Sequence, residues 1–438
     1  MPPASPLPAE ARRSLFIYNL FFPLAFVALL PGYLLRMFRR GGYRDKFGQR
    51  FGSYHAADRE RFAAGEWIWV HSISVGETFL ALKLARAIHA KEPRRSIALS
   101  VTTSTGFAVA REAACDWLEV IYNPLDAPWI VRAALNVVRP HRLIFIEAIW
   151  PNLLAEATRR GIPATFVPRL SPRSERRFRR VRALVGPIFR LIDALAVQEP
   201  EDIARWRSLG VDEARIKVTG NTKFDHAAGG GQRVAEFRAL LHGLGVPDDA
   251  PVLLAGSTFP GEERIVAEIH RALRPKFPNL FLIIVPRHVE RTPEVLADLQ
   301  PLGLRVVLRS EAGSQPAHVL VVNTTGELRD WYHLATVVFI GKSLTAQGGQ
   351  NPVEPVLAGK PVVYGPHMQN FAAIVARWRE AGAAVQVRDA TELREQFEAL
   401  LNNPARRDEL ARLARETIAG HRGATERTVQ VLLGSQPR

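Results

Sequence analysis

Two glutamates, each placed just after an apolar run, carry the first chemical signal in this chain. In Trp69-Val70-His71-Ser72-Ile73-Ser74-Val75-Gly76-Glu77, a run of large residues ends before Ser74, Gly76 and Glu77, and Phe79-Leu80-Ala81-Leu82 then opens a helical pattern. A carboxylate beside a helix N-terminus has its ionised form favoured, and such a group suits a general base. Ser74 and Glu77 also have capping-box spacing, which gives the pair a purely structural alternative. Ile144-Phe145-Ile146-Glu147 repeats the pattern ahead of Trp150-Pro151-Asn152. A glutamate ending a buried strand needs a partner, either a structural donor or a substrate hydroxyl.

The second half of the chain holds the groups suited to anions. Residues 341–355, Gly-Lys-Ser-Leu-Thr-Ala-Gln-Gly-Gly-Gln-Asn-Pro-Val-Glu-Pro, follow an apolar strand pattern and combine Gly348 and Gly349 with Asn351-Pro352, an N-cap ahead of a first-turn proline. Bare backbone and a helix start both favour negative charge, although Asn351 and Glu354 also have capping-box spacing. The small residues at Gly256, Ser257 and Thr258 let the backbone approach a phosphate closely. Arg287 and His288 follow another strand pattern, and arginine offers planar donors to a phosphate or carboxylate. Gly326 and Glu327 close a Thr324-to-Glu327 box whose simplest role is capping, with a ligand role second. Lys223, in Gly220-Asn221-Thr222-Lys223-Phe224-Asp225, faces an anion or is a surface lysine at a linker.

Short apolar runs alternate with helical patterns through most of the chain, the signature of parallel sheets with crossover helices. The pattern breaks near residues 226–232 and then resumes, so two doubly wound α/β domains are expected, over residues 41–228 and 229–438, the second carrying the terminal helices. In such sheets ligands bind beyond the carboxyl ends of the strands, where most of these motifs fall.

Residues 15–35 carry no charge and are about long enough to cross a bilayer, despite Pro23 and Pro31. Arg36, Arg39, Arg40, Arg44, Lys46 and Arg50 follow them, against only Arg12 and Arg13 before, so a membrane anchor over residues 1–40 would leave the rest in the cytoplasm. An interfacial helix is the alternative. With 438 residues and a net charge of +15, the chain calls for an anionic partner. The arginine-dense stretch 169–182 suits an anionic lipid surface or a phosphorylated acceptor, whereas no aromatic platform, zinc finger or basic recognition helix supports nucleic acid. A single cysteine, Cys115, excludes a disulfide framework and a cysteine-rich zinc site. No Walker motif, His-Glu-x-x-His or Gly-x-Ser-x-Gly is present, and no metal or cofactor is expected.

Taken in order, residues 71–77, 147–152, 169–174, 220–225, 255–263, 286–288, 325–328 and 348–355 resemble the motifs of the 3-deoxy-D-manno-octulosonic acid (Kdo) transferase family of lipopolysaccharide synthesis. The resemblance implies a GT-B fold, two Rossmann-like domains facing across a cleft, and inverting transfer of Kdo from CMP-Kdo to a lipid A precursor (lipid IVA) at the cytoplasmic face of the inner membrane. It implies Glu77 as catalytic base. It places CMP on Ser257, Thr258, Arg287, His288, Gly326, Glu327, Gly348, Gly349, Asn351 and Glu354, with Glu354 on the ribose and Asn351 and the glycine backbone at the phosphate. Ser74, Gly76, Glu147 and Lys223 would lie on the acceptor side. The chain departs from the family where Ala148-Ile149 replaces Thr-Glu, where Val167-Pro168 stands for Asn-Ala, and where Phe259 stands for a common His. A transferase using a UDP-sugar on a lipid, and a catalytically silent nucleotide-binding protein at the membrane, are the alternatives.

Overall fold

The computed structural model describes residues 6–40, 46–222, 225 and 231–434. The chain forms two compact units, Met1–Asp225 together with Gly423–Arg438, and His226–Arg422. The last helix, Ala424–Gly434, therefore belongs to the first unit, where the expected boundary put the whole tail in the second. Asp225 accounts for this return: its carboxylate accepts the N–H groups of Gly423 (2.8 Å) and Thr425 (2.5 Å), capping that helix. Lys83 Nζ donates to the Thr222 and Asp225 carbonyls, so this segment is engaged in structure, and Lys223 itself lies outside the described residues.

The first unit holds β1 (Trp67–His71), β2 (Ser96–Val101), β3 (Leu118–Tyr122), β4 (Arg142–Ile146), β5 (Ala164–Val167), β6 (Ala194–Val197) and β7 (Ile216–Val218). They form one parallel sheet in the order β3-β2-β1-β4-β5-β6-β7. Its near-continuous apolar strands follow from burial on both faces. Trp67, Trp69, Leu143 and Phe145 enter one core, while Ile68, Val70, Ile144 and Ile146 enter the core on the opposite face. β7 gave no apolar signal because it is an edge strand, with Lys217 and Val218 exposed.

The second unit repeats the plan with β8 (Val252–Thr258), β9 (Phe281–Pro286), β10 (Val306–Leu308), β11 (Val319–Val321), β12 (Val337–Ile340), β13 (Val362–Tyr364) and β14 (Val385–Gln386). Their order is β10-β11-β9-β8-β12-β13-β14, again all parallel. In each sheet the chain fills one side of a central strand, with β11 inserting between β9 and the edge strand β10 in the second, and then restarts on the other side. The reversal lies between β1 and β4 in one unit and between β8 and β12 in the other. A crevice opens at such a point, beyond the strands' carboxyl ends.

The N-terminal helix, Ala9–Arg40, departs from the expected anchor. Its start belongs to the protein: Ala11 and Leu15, with Leu7 just ahead of the helix, are buried in the first unit's core, and Asn19 exchanges side-chain hydrogen bonds with Asn152 at 3.1 and 2.7 Å. Phe16, Ile17, Leu20, Phe21 and Leu24 face outward. Among the described residues no helix is long and apolar enough to cross a membrane.

Candidate active site

Glu77 sits just beyond β1, on the first turn of the helix Val75–Lys91. The expected box forms: Ser74 accepts the Glu77 N–H at 3.3 Å and donates its hydroxyl to Glu77 Oε1 at 3.0 Å, while the Ile73 N–H donates to Oε2 at 2.7 Å. Capping and a chemical role are therefore compatible, because the donors fix a half-buried carboxylate at the sheet's reversal point. Ionisation is not favoured in the way the helix start suggests. Burial raises the Glu77 carboxyl, the Ile73 and Ser74 donors only partly offset it, and the charge of Glu147 raises it further. A base tuned upward lies closer to neutral pH, where general bases work best.

Glu147 follows β4 and adopts φ +57°, a left-handed conformation that costs a non-glycine residue free energy. Its carboxylate is half-buried, and among the described residues no donor pairs with it. Ser257, the bulge residue near the end of β8, has φ +55°, and Lys342, two residues after β12, has φ +57°. Among the described residues, three of the five non-glycine residues with positive φ thus mark strand ends at the two reversal points. Strain of this kind concentrates at functional sites, and nothing in the residue types announces it. Behind Glu77, His71 is fully buried against Phe145 and Trp150, and burial pulls its imidazole down to about 3, leaving it neutral.

In the second unit the anion site expected at residues 341–355 is partly filled by the chain itself. The N–H groups of Lys342, Ser343 and Leu344 converge on the buried carboxylate of Glu262 at 2.8, 3.0 and 3.0 Å, and Phe259 N–H adds a fourth donor at 2.9 Å. The Gly348 N–H donates to Gln369 Oε1 at 2.8 Å and the Gly349 N–H to the Lys342 carbonyl at 2.9 Å. These glycines serve backbone geometry, with φ of +116° and +72°, and a Cβ at Gly349 would overlap Met368. At Gly341 a Cβ would overlap the Ser257 backbone, so glycine there lets the ends of β8 and β12 meet.

The expected helix start also changes. The helix is Val353–Leu357, five residues, preceded by Pro352; Asn351 Oδ1 accepts the Val353 N–H at 3.0 Å. Glu354 does not close a box but pairs with Arg329 at 3.1 Å. Glu327 likewise does not cap through Thr324. Its buried carboxylate joins Arg233 (3.0 Å), Arg309 (3.1 Å) and the Trp331 indole (3.3 Å), a structural clamp beside exposed Gly326. Thr258 is buried and donates its hydroxyl to Glu263 at 2.8 Å, which Arg291 pairs at 2.9 Å.

Arg287 and His288 stand exposed beyond β9, and among the described residues no carboxylate pairs with Arg287. Two residues missed as site candidates join them. Phe259 lies edge-on to His288 with centroids 5.9 Å apart, and Lys342 Nζ sits 4.8 Å from the Phe259 ring. Lys342 was visible in its motif, immediately after a strand and its glycine. No group of three or more metal-ligating side chains occurs among the described residues.

The family model described as 3-deoxy-D-manno-octulosonic-acid transferase (kdotransferase) matches residues 45–226. The 3-deoxy-D-manno-octulosonic acid transferase of Haemophilus influenzae is 32% identical over 397 residues, covering 89% of this chain and 91% of that protein. The transferase of the same name from Bordetella pertussis is 34% identical over 429 residues, covering 94% and 98%. Among solved structures, MurG of Acinetobacter baumannii matches with TM-score 0.54 at 13% identity, covering 84% of this chain and 99% of that one, a likeness of GT-B fold alone. The chain belongs to the 3-deoxy-D-manno-octulosonic acid transferase family and is a glycosyltransferase.

Proposed function

We propose that this chain transfers Kdo from CMP-Kdo to a hydroxyl of a lipid A precursor, with inversion and with Glu77 as general base, at the cytoplasmic face of the inner membrane. The observation that carries the proposal is the fixed, half-buried Glu77 carboxylate at the β1/β4 reversal point, raised by burial and by Glu147. Glu77 takes the proton of the acceptor hydroxyl as that oxygen attacks the anomeric carbon. The bond to the CMP phosphate breaks on the opposite face of the sugar, and its electrons leave with CMP.

The phosphate gains charge as that bond breaks, so cations beside it stabilise the transition state more than the ground state. Arg287 and Lys342 would supply that charge, with His288 and Phe259 beside them. This replaces the role first given to a helix start at Asn351, since a five-residue helix has little dipole to offer. Gly348, Gly349 and Asn351 would then shape the loop that presents Lys342. Ser74 and Gly76 would keep Glu77 in place. The outward apolar face of the N-terminal helix, with the arginines of residues 169–182, would hold the enzyme against an anionic lipid surface.

The test is Glu77→Gln. General-base catalysis contributes about 10²–10⁴-fold, so turnover should fall by that factor while the melting temperature and CMP binding stay near wild type. Near-normal turnover would remove Glu77 as the base.

A further inference from the structure

Beside Glu147 the first unit contains a cavity of about 270 Å³, near the lower end of small-ligand pockets at about 300–1,000 Å³. Its wall is largely apolar. Phe166, Phe178, Phe189 and Trp206 pack edge-on to one another at centroid distances of 5.3 to 5.7 Å, and Leu184, Val185 and Ile188 complete that side. Protein interiors fill such space with side chains, so an opening among aromatic rings leaves contacts unmade.

The few polar groups of the lining are informative. Glu147 belongs both to this wall and to the surroundings of Glu77, whose carboxyl its charge raises. Ser14 and Tyr18 come from the N-terminal helix, whose outward side chains include exposed Phe16, Leu20, Phe21 and Leu24. Arg169 lines the cavity and is itself exposed, and the adjoining helix Pro172–Arg180 carries exposed Arg173, Arg176 and Arg177. An occupant matching these features has an apolar tail, an anionic group at the arginines and a hydroxyl near Glu77.

We propose that this cavity binds an acyl chain of the acceptor lipid, so that the tail sets the register in which the sugar hydroxyl meets Glu77. The proposal rests on the reading of the chain as a lipid-directed Kdo transferase. The exposed apolar face of the N-terminal helix gives the tail a route from a lipid surface, and burying its methylenes supplies binding that a soluble sugar lacks. Arg169 would hold a phosphate on the sugar by charge-assisted hydrogen bonds.

Binding is tested first, without turnover, with a bromine-labelled alkyl phosphate that quenches indole fluorescence on contact. The wild-type protein should show saturable quenching, and Trp206→Phe should remove most of it. Val185→Phe, or Leu184→Phe if the first variant melts early, should fill the cavity and weaken binding at least tenfold while CMP binding is unchanged. No saturable quenching, or equal affinity in a folded cavity-filling variant, would overturn the proposal.

Transfer is then compared on an acylated precursor and on the same phosphorylated disaccharide stripped of its chains. The wild type should prefer the acylated acceptor at least tenfold in KM, and Val185→Phe should lose that preference while keeping its rate on the stripped acceptor. Equal KM values in the wild type would overturn the acyl site and leave Kdo transfer standing. Saturable quenching without transfer to either acceptor would instead overturn the Kdo reading and keep an acyl-binding cavity.

Discussion

Four backbone donors converge on the Glu262 carboxylate, and burial raises that carboxyl against them. Glu262→Ala would strand those donors, each costing about 1–3 kcal/mol when buried and unpaired. Denaturant titration should show a loss of at least about 3 kcal/mol, and weaker CMP binding should accompany it because Lys342 loses its support. Glu262 was legible only as an acidic first-turn residue, since three of its four donors lie 80 to 82 residues further along the chain. Glu77 differs in this respect: its donors are local, so its box could be read from spacing. The raised Glu77 carboxyl also sets a pH dependence. A base works deprotonated, so kcat/KM should fall as pH drops through a value above 4.5, the ordinary one for glutamate. Glu147→Gln removes one raising charge and should shift that acid limb to lower pH. A limb that stays in place in the pH–rate profile would deny Glu147 this effect.

At the level of elements, the parallel strands were legible because burial on both faces writes them as continuous apolar runs. The exposed edge strand β7 was not, and neither was the docking of the N-terminal helix, which depends on partners remote in sequence. Asp126 is one of these. It is fully buried, accepts the N–H groups of Asn152 (3.0 Å) and Leu153 (2.9 Å), and shares a hydrogen bond with Tyr18 of that helix. Burial pushes its carboxyl up to about 6, against 3.8 ordinarily. The folded state therefore holds this proton more tightly than the unfolded chain. The stability it contributes is fully present below about pH 4 and is lost as pH rises to about 6, by up to roughly 3 kcal/mol. Asp126→Asn should flatten the stability profile of the chain between those pH values. An unchanged slope, measured by denaturation across that range, would place the proton elsewhere.

At the scale of the whole molecule, a net charge of +15 and an outward apolar helix face act together. Co-sedimentation with vesicles should show binding to anionic lipid that weakens with salt, as the screening length falls from about 10 Å at 0.1 M to about 3 Å at 1 M. Replacing Arg173, Arg176 and Arg177 with Glu should lower that binding several-fold, and salt-independent binding would assign it to the apolar face alone. Two doubly wound domains were readable from the alternation of runs, whereas the strand order that places the reversal points was not. The strained backbone at Glu147, Ser257 and Lys342, and the cavity beside Glu147, arise only when remote segments pack together. Kdo transfer is read out by incubating the purified chain with a lipid A precursor and CMP-Kdo generated in situ, then weighing the lipid by mass spectrometry. The expected result is a mass gain of one or more whole Kdo residues that disappears in Glu77→Gln. No mass gain from a folded, CMP-binding protein would contradict it.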